Sequence, residues 1–372
     1  MIKVGLLTLP FNFNYGGVLQ GYALKSTLEK LGTHVTIISR RQNRSNIIKR
    51  SIVWSKWESF KILQYSRSLR VFPLVSFEHF KRKNINEITP NIFSDKKLNS
   101  IVDKHAFDAY VVGSDQVWNI NASPNLYNHY LSFVTNPNAK KVAYAASFGK
   151  EEWLYPESAT EECSKLAKNF DAISVREDSG VKLCREYLGV NAAHMVDPTM
   201  LLNADEYRKL YNDQHIAPFD GKIFTYILDE NEDKRIFIEK VCSILKQNSF
   251  DLKSESLLHK LQTIKRRHFP TIETWLKAFN DSDYIITDSF HGTIFSIIFN
   301  KPFIAIANKD RGLARFESLL KMFQLENRLV ENLESVPQSL LKTPIDWDNV
   351  NNIVESRKQM SIDFLKTSLF AN

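Results

Sequence analysis

The chain has 372 residues, of which 43% are hydrophobic and 24% charged, with a formal net charge of +7. Its 25 Phe, 13 Tyr and 6 Trp carry too much apolar area to remain in water, which excludes a disordered chain. At this length we expect two domains of roughly 150 residues each. The three cysteines are an odd number without CxxC spacing, which disfavours a structural zinc site and indicates a reducing compartment.

The N-terminal segment, Met1 to Pro10, is short, apolar and typical of a strand. It lacks the basic region and the long apolar core of a signal peptide. No run of about 18 uncharged apolar residues follows, so no membrane span is predicted. We therefore expect a cytoplasmic protein.

The positive charge is concentrated in one stretch of the chain. Between Arg40 and Lys83 there are 12 Lys or Arg against Glu58 and Glu78, a local balance of +10 that leaves −3 for the rest. Basic residues interleaved with Trp and Ile suit a helix on an anionic membrane surface. The solvated face of ordinary helices explains them as well, and both interpretations stay open. No known nucleic-acid-binding motif accompanies the charge, so we expect no nucleic-acid partner.

Apolar runs alternate with helical stretches along the whole chain. A strand over Lys3–Leu9, a helix over Val18–Leu31 ended by Gly32, and a strand over Val35–Ser39 form a βαβ opening, which predicts parallel strands. The other predicted strands are Ala109–Val112, Lys141–Ala146, Ala172–Val175, Ala193–Val196, Lys222–Leu228, Tyr284–Thr287 and Phe303–Ile306. The other predicted helices are Asp178–Leu188, Glu232–Lys246, Ile272–Asn280, Gly292–Phe299, Arg315–Phe323 and Trp347–Leu369.

This alternation predicts an α/β fold with two Rossmann-like domains facing a cleft. The N-terminal domain is expected over residues 1–212, with the basic segment 40–83 as a helical insertion, and the C-terminal domain over 213–345. A final helix in 346–372 is expected to pack back on the N-terminal domain. In such sheets ligands bind at the carboxyl ends of the strands, where the strand order reverses.

Three motifs in the first half follow predicted strands. Asn14, Tyr15, Gly16 and Gly17 precede a helix, where glycines let the backbone approach an anion, although a tight turn alone needs no ligand. Gly113-Ser114-Asp115-Gln116 ends a strand, so Ser114 and Gln116 are candidate substrate-binding residues, and Asp115 is a candidate general base for a sugar hydroxyl or a cap of the next turn. Arg176 emerges at a strand end, suited to a carboxylate or phosphate, or to a surface ion pair with Glu177 or Asp178.

Two motifs in the second half point to an anionic ligand. In Asp288-Ser289-Phe290-His291-Gly292 a strand runs into a helix, so His291 and the N–H groups of Gly292 and Thr293 would face a phosphate. The following loop carries Lys309, Arg311 and Arg315, which could close over a trianionic ligand or simply be solvated.

Together these residues resemble the polysaccharide pyruvyl transferase family. The markers occur in family order from about Lys3 to Leu329: Asn14-Tyr15-Gly16-Gly17, Gly113-Ser114-Asp115-Gln116-Val117-Trp118-Asn119, Tyr144-Ala145-Ala146-Ser147-Phe148-Gly149, Val175-Arg176-Glu177, Val196-Asp197-Pro198-Thr199 and Asp288-Ser289-Phe290-His291-Gly292.

The resemblance implies a GT-B-like glycosyltransferase architecture, phosphoenolpyruvate as donor and a ketal-linked pyruvate on a sugar as product. It assigns donor binding to Arg176 and His291. Some relatives carry Arg two residues before this histidine, where this chain has Ser289, and Lys309, Arg311 or Arg315 would then supply the missing charge. The expected scheme uses His291 as acid and Asp115 as base, with phosphoenolpyruvate as co-substrate and no metal or cofactor.

The family also suggests a lipid-linked saccharide of a capsular or exopolysaccharide precursor as acceptor, with the basic segment 40–83 docking at the inner membrane face. Two other functions remain open. One is a nucleotide-sugar-dependent glycosyltransferase that uses Asp288 or Glu317 for the ribose. The other is a non-catalytic component of a polysaccharide assembly complex.

Overall fold

The computed structural model describes residues 1–11, 14–43, 71–252, 270–308 and 312–371, with the backbone alone for 71–76. The chain forms two compact units. The first comprises Met1–Leu201 and Lys358–Asn372, and the second comprises Leu202–Thr263 and His268–Arg357. No helix within the described ranges is both long enough and apolar enough to cross a bilayer.

A parallel six-stranded sheet in the order β2-β1-β3-β4-β5-β6 forms the centre of the first unit. Its strands are β1 (Lys3–Leu7), β2 (His34–Ile37), β3 (Ala109–Val112), β4 (Lys140–Ala146), β5 (Ala172–Val175) and β6 (Ala193–His194). Apart from the edge strand β6 and the first residues of several strands, the strands are buried because helices cover both faces, as in other parallel sheets.

The helices of the first unit are α1 (Tyr15–Lys30), α2 (Val71–Asn84), α3 (Asp95–His105), α4 (Glu157–Ala167) and α5 (Asp178–Leu183), the last continued by a π-helical turn over Cys184–Leu188. Short 3₁₀ turns lie at Leu126–Tyr130 and Pro198–Leu201. The core between β3, β4 and these helices includes Trp118, whose ring stacks on Tyr130 at 4.8 Å, and the buried thiols of Cys163 and Cys184.

A parallel five-stranded sheet in the order β11-β10-β9-β7-β8 forms the second unit. Its strands are β7 (Ile223–Tyr226), β8 (Ser249–Phe250), β9 (Tyr284–Thr287), β10 (Phe303–Ile306) and β11 (Leu329–Val330). Its helices are α6 (Ala204–Arg208), α7 (Glu232–Leu245), α8 (Ile272–Asp281), α9 (Phe290–Ile298), α10 (Leu313–Met322) and α11 (Gln338–Lys342), with a 3₁₀ turn at Glu326–Arg328. Trp275, Phe279 and Phe295 pack edge to face or tilted beside the sheet.

The division between the units falls at Leu201, whereas the sequence placed the boundary at residue 212. Helix α6 lies with the second unit because the Tyr207 ring packs on Phe295 at 5.0 Å and Arg208 Nε donates to Asn280 Oδ1 at 2.9 Å. The last helix, α12, spans Trp347–Phe370. From Lys358 onward it belongs to the first unit, where Ser361 Oγ accepts the N–H of Val196.

Candidate active site

In each sheet the order of the strands reverses once, between β1 and β3 in the first unit and between β7 and β9 in the second. At such a point the chain leaves two neighbouring strands in opposite directions, which opens a crevice at their carboxyl ends. The motifs around Asp115 and His291 each follow one strand of these pairs. The topology therefore places both motifs where ligands of such sheets bind.

The first of these edges begins with Asn14, the N-cap of α1. Its Oδ1 accepts the N–H of Gly17 at 3.2 Å, and the helix starts at Tyr15 rather than at Val18 as expected from the sequence. Gly16 and Gly17 thus lie in the first helical turn and not in a loop. The reason is that the Asn14 side chain satisfies a helix-start donor, which outweighs the low helix propensity of glycine.

Gln20 on α1 joins the loops that follow β1 and β3. Its Nε2 donates to Thr8 Oγ1 at 2.7 Å, and its Oε1 accepts the N–H of Ser114 at 3.0 Å. Ser114 is fully buried, and its hydroxyl donates to the carbonyl of Ala145 at 2.6 Å. Ser114 was predicted to bind substrate. In the structure its N–H and hydroxyl instead connect the loop after β3 to α1 and to β4. Gln20 was not predicted, because its partners are distant in sequence.

Asp115 follows directly and adopts φ of 66°, in the left-handed region that Asp tolerates better than most residues. Gly113 before it has φ of 134°, and a Cβ there would lie 2.0 Å from the carbonyl oxygen of Tyr144. Only glycine, which has no Cβ, therefore fits where the backbone after β3 approaches Tyr144 of β4 so closely. Gln116 is half-buried, and its Oε1 accepts from Asn119 Nδ2 at 2.7 Å.

Arg176, at the end of β5, lies in a cluster of three carboxylates. Its Nη1 donates to Asp197 Oδ2 at 2.7 Å, its Nε to Glu177 Oε1 at 3.0 Å, and its Nη2 lies 3.8 Å from Asp115 Oδ1. The sequence predicted that Arg176 binds the donor, with an ion pair to a neighbouring acid as the alternative. The structure brings it beside Asp115, and the partner Asp197 comes from the segment after β6.

This cluster is buried, with 2% of the Arg176 side chain, 4% of Glu177 and none of Asp197 exposed, against 9% of Asp115. Burial is the largest single influence on the pKa of Arg176 and lowers it. The charges of Glu177, Asp197 and Asp115 together outweigh burial, so the pKa of the guanidinium is raised above its ordinary value. Arg176 is therefore a permanent cation, and the three carboxylates around it carry more formal charge than it does.

The second edge is built around Ser289, the N-cap of α9. Its Oγ accepts the N–H of Gly292 at 3.3 Å, and its carbonyl accepts the N–H of Thr293 at 2.9 Å. The helix begins at Phe290, so His291 lies in its first turn, where an anion is favoured. The N–H groups of Gly292 and Thr293, expected to face a phosphate, donate within the helix start. A Cβ at Gly292 would lie 2.2 Å from Thr287 Oγ1, so the helix packs tightly on the strand end.

Asp288 fastens the loop after β7 to the end of β9. Its Oδ1 accepts the N–H of Leu228 at 2.6 Å, and its Oδ2 accepts the N–H of Asp229 at 3.1 Å and Nζ of Lys234 at 2.7 Å. The loop after β10 joins them, since Asn308 Nδ2 donates to Asp229 Oδ2 at 2.7 Å. The network thus links the ends of β7, β9 and β10, which are neighbours in the sheet. Lys234, on α7, was not predicted from the sequence.

Arg315 lies in the first turn of α10, and its guanidinium carbon is 5.4 Å from the centroid of the Phe290 ring. The rings of Phe290 and His291 are also 5.4 Å apart. Of the three cations considered as replacements for the family arginine, Arg315 is thus placed next to the α9 start. Lys309 and Arg311 lie outside the described residues, as do Lys49, Arg50, Lys56 and Lys61 of the predicted membrane-docking segment.

The two parallel-sheet units confirm the predicted fold class of two Rossmann-like domains. Solved structures with this fold include the UDP-GlcNAc 2-epimerase of Neisseria meningitidis bound to UDP-GlcNAc, with a TM-score of 0.55 and 11% identity over 100% of both chains. The UDP-GlcNAc 2-epimerase of Methanocaldococcus jannaschii has a TM-score of 0.53 and 12% identity over 95% of this chain and 92% of that one. At such identities the likeness concerns the fold alone.

The family model of polysaccharide pyruvyl transferases matches residues 14–310. The chain belongs to the polysaccharide pyruvyl transferase family, a transferase family of polysaccharide biosynthesis, as its motifs predicted. No protein with a curated description matches the sequence.

Proposed function

We propose that this transferase moves a pyruvyl group from phosphoenolpyruvate to two hydroxyls of one sugar in a capsular or exopolysaccharide precursor. The observation that supports a small anionic donor is the placement of His291 in the first turn of α9, with the Phe290 ring 5.4 Å from both the His291 ring and the Arg315 guanidinium carbon. A helix start, an imidazole and a guanidinium together suit a ligand that carries both a phosphate and a carboxylate.

The donor side of the proposed reaction uses His291 and Arg315. Arg315 holds one anionic group of the donor, and the first turn of α9 holds the other. His291 gives a proton to the methylene carbon or to the departing phosphate. Protonation of the methylene carbon makes the central carbon electrophilic and turns the methylene into the methyl group of the product.

The acceptor side uses Asp115. A sugar hydroxyl loses its proton to this carboxylate as its oxygen bonds to the central carbon of the donor. The bond from that carbon to the phosphate oxygen breaks, and inorganic phosphate leaves. A second hydroxyl of the same sugar then bonds to the carbon and releases a proton, which completes the ketal.

We further propose a lipid-linked saccharide as the acceptor and a peripheral contact with the inner membrane face, which rest on the family and on the basic segment 40–83. Asp288, considered earlier for a nucleotide ribose, has no exposed surface and is held by Lys234 and two backbone N–H groups. One of the two acids considered for a ribose is thus already engaged, which favours the small donor, while the other, Glu317, is exposed on α10.

The test is thermal unfolding of the protein with phosphoenolpyruvate and, separately, with UDP-GlcNAc and other nucleotide sugars, followed by a phosphate-release assay with sugar acceptors. A ligand at 100 times its dissociation constant stabilises the folded state by about 2.7 kcal/mol. We expect a stabilisation of this size with phosphoenolpyruvate, and we expect phosphate release to depend on the presence of the sugar acceptor. Stabilisation by a nucleotide sugar alone would overturn the proposal.

A further inference from the structure

We infer that Arg176 is a positioning residue for Asp115, held in place by Asp197 and Glu177, and so acts on the acceptor side of the reaction. The inference rests on the proposed function, because it takes Asp115 as the base. It differs from the role suggested by the family markers, in which the guanidinium holds the donor anion.

The geometry of the guanidinium supports this role. Nη1 is fixed by Asp197 and Nε by Glu177, at 2.7 and 3.0 Å. Asp197 is itself oriented, since its Oδ1 accepts both the N–H and the hydroxyl of Thr199, at 3.0 and 2.7 Å. Two buried acids therefore set the direction of the guanidinium, and its Nη2 lies 3.8 Å from Oδ1 of Asp115, within ion-pair distance but beyond that of a hydrogen bond.

The charge of the cluster argues against an anionic ligand. Three carboxylates and one guanidinium have a formal charge of −2, and all four side chains are at least nine-tenths buried. A phosphate or carboxylate approaching Arg176 would meet the repulsion of these acids at similar distances, and Coulomb repulsion is only weakly screened in a buried site. Arg176 would therefore contribute little to holding phosphoenolpyruvate.

Asp115 is the most exposed of the three acids, and its backbone is fixed. Its carbonyl accepts the N–H of Val117 at 2.7 Å and that of Ser147 at 3.1 Å. With the main chain held and the charge of Arg176 3.8 Å from Oδ1, the proposed role of Arg176 is to keep the carboxylate oriented so that Oδ2 takes the proton of a sugar hydroxyl. Displacement of a reacting group by about 1 Å can cost on the order of 100-fold in rate.

The variant Asp197→Asn distinguishes a positioning role of Arg176 from a donor-binding role, because the first predicts a change in kcat and the second a change in KM for phosphoenolpyruvate. If Arg176 positions Asp115, loosening its anchor lowers kcat by about 10- to 100-fold and leaves KM for phosphoenolpyruvate within about twofold. If Arg176 instead holds the donor, removal of a competing carboxylate lowers KM for phosphoenolpyruvate and preserves kcat, and this result would overturn the inference. The matched control is Asp178→Asn, which neutralises an exposed acid in the first turn of α5 and is expected to change neither constant.

Two further variants complete the test. Arg176→Lys keeps the charge but cannot bridge three acids, so it should repeat the kcat defect with KM unchanged. Adding Asp197→Asn to Asp115→Asn should cause no further loss, since Asp197 acts through Asp115, and an additive loss would contradict this. If circular dichroism shows that Asp197→Asn is unfolded, Glu177→Gln is used instead, and the same changes in kcat and KM are expected.

A crystal structure of the folded variant tests the inference without turnover. We expect the Asp115 carboxylate to rotate when Arg176 is released. An unmoved Asp115 beside a displaced Arg176 would overturn the positioning role. If the wild-type protein neither binds phosphoenolpyruvate nor releases phosphate from it, the proposed function fails, and this structural comparison still decides the role of Arg176.

Discussion

Nζ of Lys234 lies 2.7 Å from Oδ2 of Asp288, and both side chains are buried in the second unit. The same ammonium donates to the carbonyl of Asp229 at 2.7 Å. Lys234 thus neutralises the carboxylate of Asp288, which fastens the loop after β7 to the end of β9, just before the helix that carries His291.

Lys234→Met is expected to destabilise the protein strongly, because it leaves the carboxylate of Asp288 buried without its cation. Removing one partner of a buried ion pair costs about 3–5 kcal/mol in the free energy of unfolding. Denaturant titration measures this change. The matched control is Lys240→Met on the same helix, whose Nζ makes a long 3.3 Å contact with the carbonyl of Glu334 in an exposed setting, and about 0.5 kcal/mol or less is expected. Equal stability of the two variants would show that the pair is not important for folding.

His291→Gln and His291→Ala should both reduce phosphate release from phosphoenolpyruvate. Loss of a group that donates a proton in the transition state commonly costs about 10²- to 10⁴-fold in rate. Gln keeps hydrogen bonding but not the proton transfer, so it should not restore the rate. His79→Ala, at an exposed position of α2, is the control. Turnover near that of the wild type in His291→Ala would remove this residue from the mechanism.

Arg315→Met is expected to raise KM for phosphoenolpyruvate by about 10- to 100-fold. The expected loss is one charge-assisted contact, worth about 1.5–3 kcal/mol, and 1.4 kcal/mol corresponds to a factor of ten. Arg315→Lys should recover only part of the affinity, because lysine keeps the charge without the planar group that stacks on Phe290. Steady-state kinetics measures both variants against Arg235→Met, which removes an exposed arginine paired with Glu232. An unchanged KM in Arg315→Met would mean that the donor is held elsewhere.

His129 should make the first unit sensitive to acid. Its Nδ1 lies 2.7 Å from Ser123 Oγ, and burial lowers the pKa of the imidazole from 6.5 to about 4. The unfolded chain therefore binds a proton that the folded chain does not. This contribution to stability is complete above about pH 6.5 and is lost as the pH falls toward 4, by up to about 3 kcal/mol.

The pH dependence is measured by unfolding wild-type protein and His129→Gln at pH 7 and at pH 4. Glutamine cannot take up the proton, so the variant should lose about 3 kcal/mol less on acidification, whatever its stability at pH 7. A parallel decline of both proteins would assign the acid sensitivity to other groups.

The strands were predictable because buried parallel strands appear as short apolar runs between polar loops. Ala109–Val112, Ala172–Val175, Tyr284–Thr287 and Phe303–Ile306 have the same bounds in the structure as in the sequence prediction. The two-residue strands β8 and β11 were not predicted, and the strand predicted over Ala193–Val196 is reduced to the two residues of β6. The start of α1 was placed too late because Gly16 and Gly17 suggest a loop unless the cap Asn14 is recognised. The start of α9 was placed at Gly292 instead of Phe290 because the cap Ser289 was not recognised.

The residues that follow strand ends were also predictable, since topology brings such positions to one edge of each sheet. Their partners were not. Lys234 and Asp288 are 54 positions apart, and Gln20 and Ser114 are 94 apart. Asp197 was quoted as a family marker without a role. Its contact with Arg176 depends on the pairing of β5 with β6, which no local pattern in the sequence reveals.

Burial of two of the three cysteines has a practical consequence. The thiols of Cys163 and Cys184 lie in the core of the first unit, and burial raises the pKa of both to about 12. Since the thiolate is the reactive form, neither should react with a maleimide while the protein is folded. Cys242 is partly accessible and lies on α7, the helix that carries Lys234. The unmodified protein thus offers a single attachment point for a fluorophore, and it lies in the second unit.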